Sequence, residues 1–116
     1  MNLNINRGGY IMSLLKNDSK EAKNYALHQM DKNMHYRWFF YIENVELLET
    51  QYQIGNIDTK FAASILSKIY FYADQIEKAV CWAEKSQEYF EVKKRSIYTD
   101  TLITTIIDTY IQILNN

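Results

Sequence analysis

A chain of 116 residues is one domain by length, and by the usual scaling it buries roughly two-thirds of the surface its unfolded form exposes. With 47% hydrophobic and 23% charged residues the composition is globular, and zero proline with only three glycines removes the turn chemistry that a sandwich or barrel requires, so the expected fold is all-α. A net charge of -1 leaves no basic field for nucleic-acid phosphates, no apolar run approaches a bilayer span, the start lacks a signal-peptide core, and one cysteine excludes an internal disulfide. These features predict a soluble protein of the cytoplasm or nucleus, with no nucleic acid and no membrane among its partners.

Residues 1–7 read as a flexible tail, and 8–116 as a single helical-repeat domain. Gly8 and Gly9 open a short helical turn, Tyr10 to Leu15. Asp18 followed by Glu21 has the spacing of a capping box and predicts a helix over about 19–33, with Ala22, Ala26, Leu27 and Met30 as its inner stripe. A third helix, about 35–54, carries Trp38, Ile42, Val45, Leu48 and Tyr52 at helical spacing, and Gly55 stands where a left-handed cap is wanted. Asp58 then caps a helix over about 58–73. Projected at about 100° per residue, Phe61, Ala62, Ala63, Ile65, Leu66, Ile69, Tyr70, Tyr72 and Ala73 cover roughly half its circumference. One neighbour needs only about 100° of arc, so this helix should meet neighbours on two sides.

The next helix, about 75–91, is narrower in its apolar stripe: Ile76, Ala79, Val80, Ala83, Ser86 and Phe90 face in, while Glu77, Glu84, Lys85 and Glu88 face out. Lys93, Lys94 and Arg95 end it and make the turn into the last helix, about 97–114. There Leu102, Ile103, Ile106, Ile107, Tyr110, Ile111, Ile113 and Leu114 again spread over half the surface. Wide, narrow, wide is the trace of antiparallel helix hairpins stacked as a short α-solenoid, similar to tetratricopeptide or HEAT arrays. Ala63, Tyr70, Ala79, Ala83 and Phe90 are the expected helix-packing residues. Because the last apolar arc exceeds what one interface covers, the side formed by Ile107, Ile111 and Leu114 is expected to meet a following hairpin, and alone it should self-associate.

None of the chemistry-bearing residues converges. His28 and His35 lie seven apart in no metal-ligand spacing, and Cys81 sits off the Ala79–Ala83 stripe among acidic neighbours, surroundings that do not activate a thiol. Glu43, Glu46, Glu49, Asp74, Glu77, Glu84 and Glu88 lie on helix faces without a base or glycine loop, which reads as solvated charge. The aromatic run Trp38, Phe39, Phe40, Tyr41 reads as packing, and the basic run 93–95 as charge near a helix C-terminus. The chain is expected to have no catalytic, cofactor-binding or metal-binding residues and no enzyme activity.

The helix pair 61–90 is similar to a tetratricopeptide repeat, with Leu66, Ser67, Tyr70, Ala79 and Ala83 near the positions where that repeat keeps apolar or small residues. A sharper resemblance runs from Tyr10 to Tyr110. IMSLL, KNYALHQM, FAASILSKIYFY, EKAVCWAEKSQEYFEV and SIYTDTLITTIIDTYI occur in the order and spacing found at the N-terminus of the largest non-ATPase subunits of the 26S proteasome regulatory particle, the regulatory subunit 1 family of proteasome/cyclosome-repeat proteins. Ala63, Ser67, Lys68, Tyr70, Ala83, Phe90-Glu91-Val92, Tyr98, Thr101, Ile103 and Asp108-Thr109-Tyr110 carry it. Two departures stand out: that family usually has glycine in the turn where Ala73-Asp74 stand, and a small-residue pair including glycine where Ser86-Gln87 stand.

The resemblance implies the N-terminal arm of a longer scaffold subunit that helps join base and lid of the regulatory particle in ubiquitin-dependent protein degradation. Its partners would be other regulatory-particle subunits and the rest of its own subunit, through an interface of Leu102, Ile103, Ile106, Ile107, Tyr110, Ile111 and Leu114. The family's ring of repeats is missing from these 116 residues, so the chain reads as a fragment or a separately encoded N-terminal piece, and functions borne by the ring do not carry over. The rival reading is a small tetratricopeptide-like adaptor that binds a peptide or partner helix.

Overall fold

The computed structural model describes residues 7–116. Six α-helices follow one another: α1 (Arg7–Leu14), α2 (Lys20–Glu43), α3 (Val45–Ile54), α4 (Thr59–Tyr72), α5 (Ile76–Ser86), a 3-10 turn (Gln87–Tyr89), and α6 (Ile97–Leu114). No strand occurs among the described residues, and the fold is the expected all-α array. The tail expected over 1–7 lies, apart from Arg7, outside the described residues. Arg7, Gly8 and Gly9 belong to α1, which begins earlier than the glycine pair suggests.

The second and third helices divide at a different place from the one the sequence predicts. Nothing between 33 and 35 breaks a helix, so α2 continues for 24 residues. It stops at Asn44, whose side-chain amide donates to the Phe40 carbonyl at 2.9 Å and so competes with the backbone ladder. α3 packs on α4, and Lys23 near the start of α2 donates to Gln51 near the end of α3 at 2.7 Å. The N-cap of α2 is Ser19 and not Asp18: the Ser19 hydroxyl accepts from the Ala22 N–H at 3.2 Å and donates to the Glu21 carboxylate at 2.9 Å. Gly55 (φ 88) closes α3, and the Asp58 carboxylate accepts from the Phe61 N–H at 3.2 Å to start α4, both as the sequence predicts.

α4 is the centre of the molecule and packs against α2, α3 and α5. Every residue from Phe61 to Ser67 is buried, with Ile69 and Tyr70, so its covered arc is wider than predicted. His28 meets Phe61, Asp31 meets Lys68 and Trp38 meets Tyr72, an ascending order that makes α2 and α4 parallel. α5 returns antiparallel to α4. Their seam is made of small residues, and the short Ser67 side chain reaches across it to donate to the Ala79 carbonyl at 2.7 Å. Such a contact requires close backbones, which Ala63, Ala79 and Ala83 permit, all of them buried.

α5 ends at Ser86, five residues before the predicted end, and Phe90 follows the 3-10 turn in extended conformation. The basic run 93–95 therefore lies in an exposed strap joining α5 to α6, where Arg95 pairs with Asp100 at 2.9 Å. Two residues other than glycine have positive φ, Asp74 (60°) and Gln87 (53°), one in each pair where the resembling family favours glycine. Aspartate tolerates the left-handed region, whereas Gln87, with ψ -118°, occupies a conformation that only glycine adopts freely.

Gln87→Gly is expected to raise the unfolding free energy by about 1 kcal/mol by removing this strain, and a lowered urea midpoint would contradict it. Ala83→Leu is expected to cost about 1 to 3 kcal/mol by overpacking the α4–α5 seam. Unchanged thermal melting in that variant would rule out the close seam.

Candidate interaction surfaces

α6 is anchored at its first turns only. The Ser96 hydroxyl accepts from the Thr99 N–H at 3.0 Å and caps the helix. Tyr98 sits between Phe71 of α4 (centroids 5.3 Å, 84°) and Phe90 (5.9 Å, 78°). Its hydroxyl lies 2.7 Å from the Ser67 Oγ. Since the single Ser67 proton goes to the Ala79 carbonyl, Tyr98 is the donor, and one relay links α6, α4 and α5. Burial pushes the Tyr98 phenol up to about 12, with the Asp31 charge adding to the rise.

Beyond this socket α6 leaves the body. Thr99 and Leu102 are buried and Ile103 is half-buried, but every residue from Ile106 onward is exposed: Ile107 is 51% accessible, Tyr110 63% and Leu114 67%. A helix of 18 residues is about 27 Å long, and the molecule measures 57 Å along its long axis against 28 and 24 Å across. Of the expected interface, Leu102 points into the intramolecular core and is fully buried, so it leaves the outward set. Ile106, Ile107, Tyr110, Ile111 and Leu114 form an open apolar face, flanked by Ile103.

The expected packing residues Ala63, Tyr70, Ala79 and Ala83 are all buried, while Phe90 is half-buried against Tyr98. Tyr70 donates to the Glu49 carboxylate at 3.1 Å, and burial together with the Glu49 charge pushes its phenol up to about 12. His28, His35 and Cys81 are exposed and stand apart from one another. Among the described residues no group of three His, Cys, Asp or Glu side chains is placed to hold a metal ion, and no helix is long and apolar enough to cross a membrane.

One feature escapes the sequence. The strap from Phe90 to Ser96 passes from the Phe61 end of α4, where Tyr89 packs on Phe61 at 5.2 Å, to the Tyr98 socket. An open cleft of about 270 Å³ remains between the strap and α2, lined among others by Asp31, His35, Lys68, Tyr72, Tyr89 and Lys94. At its floor Lys68 and Asp31 form a half-buried ion pair at 2.7 Å. Lys68 lies on the most buried helix of the chain, and Asp31 is 37 residues away from it, so only the parallel register of α2 and α4 brings them together.

The fold and these surfaces define a small all-α helical array with an open apolar face on its last helix. The chain belongs to the family of the N-terminal domain of 26S proteasome subunit RPN2, whose family model matches residues 8–116. It is 31% identical over 104 residues to the 26S proteasome regulatory subunit RPN2 of Eremothecium gossypii, covering 89% of this chain and 11% of that protein. It is similar too to the 26S proteasome non-ATPase regulatory subunit 1 of Drosophila melanogaster (29% over 102 residues, 87% and 10%) and to the Saccharomyces cerevisiae RPN2 (25% over 103 residues, 88% and 11%). The chain thus spans about a tenth of the length of these curated relatives.

A phenol whose folded-state pKa lies above the ordinary 10 contributes stability that is complete below pH 10 and is lost as pH rises toward and through 12. In base titrations monitored by denaturation, stability should fall above about pH 10, and the fall should be shallower in Tyr98→Phe. That variant should also lose about 0.5–1.5 kcal/mol at neutral pH with its hydrogen bond. Identical high-pH profiles for the two proteins would show that Tyr98 is not shielded in the socket.

Proposed function

We propose that this chain is a non-catalytic scaffold segment of the proteasome regulatory particle, supporting the joining of base and lid in ubiquitin-dependent protein degradation, in cytoplasm and nucleus. In this reading it forms one helical-repeat arm. Its partners are other regulatory-particle subunits and further helices of the subunit type to which it is related. The family membership and the regulatory-subunit names of its relatives support the setting.

The observation that carries the scaffold role is the open side of α6. Ile107, Ile111 and Leu114 recur at helical spacing on one side, and each keeps about half or more of its surface exposed. Covering an aliphatic side chain of this size is worth roughly 1.5–3 kcal/mol, so three of them provide a contact of several kcal/mol before the costs of association. A following helical hairpin laid against that side continues the alternation of wide and narrow helices, and each unit then gains stability from its neighbour. Stiffness in such an array comes from these repeated interfaces, which suits a part that holds others at fixed separation.

Affinity purification of the tagged chain from its native cell, followed by mass spectrometry, should recover regulatory-particle ATPases and lid subunits, and Ile107→Glu/Ile111→Glu should lose them. Recovery of none of these subunits by the parent chain would overturn the assignment. In sedimentation at high concentration the isolated chain should self-associate and the double variant should not. A parent chain that stays monomeric at every concentration would argue against α6 as a joint.

A further inference from the structure

The cleft between α2 and the strap has features that the scaffold reading does not use. Two sets of rings reach it, one through Tyr72 and Tyr98 and the other through Tyr89. On one side Phe39, Trp38, Tyr72, Phe71, Tyr98 and Phe90 form a continuous ladder, each ring 5.3–6.5 Å from the next. On the other, His28, Phe61 and Tyr89 do the same at 4.6 and 5.2 Å. Tyr72 and Tyr89 keep 37% and 41% of their surface accessible where they line the cleft. The floor between the two ladders is polar.

The charges in the cleft balance. Lys68 and Lys94 are matched by Asp31 and Glu91, and all four line it. A phosphate, a nucleotide or a metal ion would want one sign in excess, and the cleft offers none. What the floor does offer is a donor and an acceptor side by side. Lys68 uses one of its three N–H groups on the Asp31 Oδ1, leaving two donors, while the Asp31 carboxylate keeps its other oxygen. Neutral, with a carbonyl to accept from Lys68 and an N–H to donate to Asp31, a peptide unit is the group that matches. Tyr72 and Tyr89, both partly accessible, suit the side chains on either side of that unit.

We propose that this cleft is a docking site for an extended peptide segment, whose main chain pairs with Lys68 and Asp31 and whose side chains lie against Tyr72 and Tyr89. The site shares no residue with the outward face of α6, so it stands or falls separately from the scaffold role.

A random dodecapeptide library displayed on phage, selected against the whole chain, tests it. The expected result is an enriched peptide that, once synthesised, binds Lys68→Met and Tyr72→Ala at least about tenfold more weakly than the parent, as loss of a charge-assisted hydrogen bond or a ring contact implies. Binding should be unchanged in Ile107→Glu. Amide chemical-shift mapping on the unmutated chain keeps the test independent of variant folding, and shifts should cluster at residues 31–35, 68–72 and 89–98. Failure of any peptide to enrich, undiminished binding to both cleft variants, or shifts confined to 106–114 would each overturn the proposal.

Discussion

The arrangement of this molecule depends on how closely α4 and α5 approach. A serine hydroxyl on one helix can reach a backbone carbonyl on the other only where the intervening side chains are no larger than methyl groups, and Ser67 does so at 2.7 Å across Ala79. The same Ser67 oxygen then has a free lone pair turned toward α6, and Tyr98 donates to it. Larger residues along this seam would separate the helices, withdraw Ser67 from Ala79 and leave the Tyr98 hydroxyl in its apolar socket without a partner, at a cost of about 1–3 kcal/mol. Small-residue packing thus fixes the α4–α5 hairpin and the position of the helix that follows.

The parallel run of α2 and α4 has a second consequence. Side chains far apart in sequence meet in ascending pairs, among them Asn24, whose amide oxygen accepts from the Asp58 N–H at 2.9 Å, Asp31 with Lys68, and Trp38 with Tyr72. These contacts alternate between polar and aromatic along the interface. The strap carries the chain past Phe61 to a socket near Phe71, so α6 starts beside the end of α4 and the cleft beside Lys68 stays open.

The legible parts of the sequence were those decided locally. Gly55 and Asp58 act within one turn of their own helices, and both took the roles their chemistry implies. The apolar arcs of α4 and α6 fixed which helix is central and which has a side to spare. The parts that could not be read depend on competition between neighbours. Asp18 and Ser19 are both capping residues, and Ser19 prevailed because it holds the extended conformation while its N–H donates to the Asn17 side chain at 2.8 Å. Asn33 and Asn44 are equally poor helix formers, yet only Asn44 turns its amide onto the backbone, whereas the Asn33 side-chain oxygen accepts from the Tyr36 hydroxyl at 2.6 Å and the helix runs on. The ends of α5 and the line of the strap follow from Gln87 and from Tyr98 finding its socket, a long-range choice with no local trace. The Asp31–Lys68 pair was invisible for the same reason.

The composition of α6 ties its order to what it touches. Eleven of its 18 residues are isoleucine or threonine, β-branched types that lose side-chain freedom in a helix and rank low in propensity. The Thr105 hydroxyl bonds back to the Thr101 carbonyl at 2.9 Å, a local arrangement that does little to strengthen the ladder. With so many low-propensity residues, the stability of this helix comes from tertiary packing more than from its own ladder. Persistence of α6 therefore rests on the Ser96 cap, the Arg95–Asp100 pair and the Tyr98 socket at one end, while Ile107, Ile111 and Leu114 lie open at the other. The residues that weaken the helix on its own are those that fill an interface well, since β-branched side chains have few rotamers left to lose on burial. A helix built in this way gains most of its stability when something packs against it, so the proposed scaffold role would couple folding of its distal half to assembly.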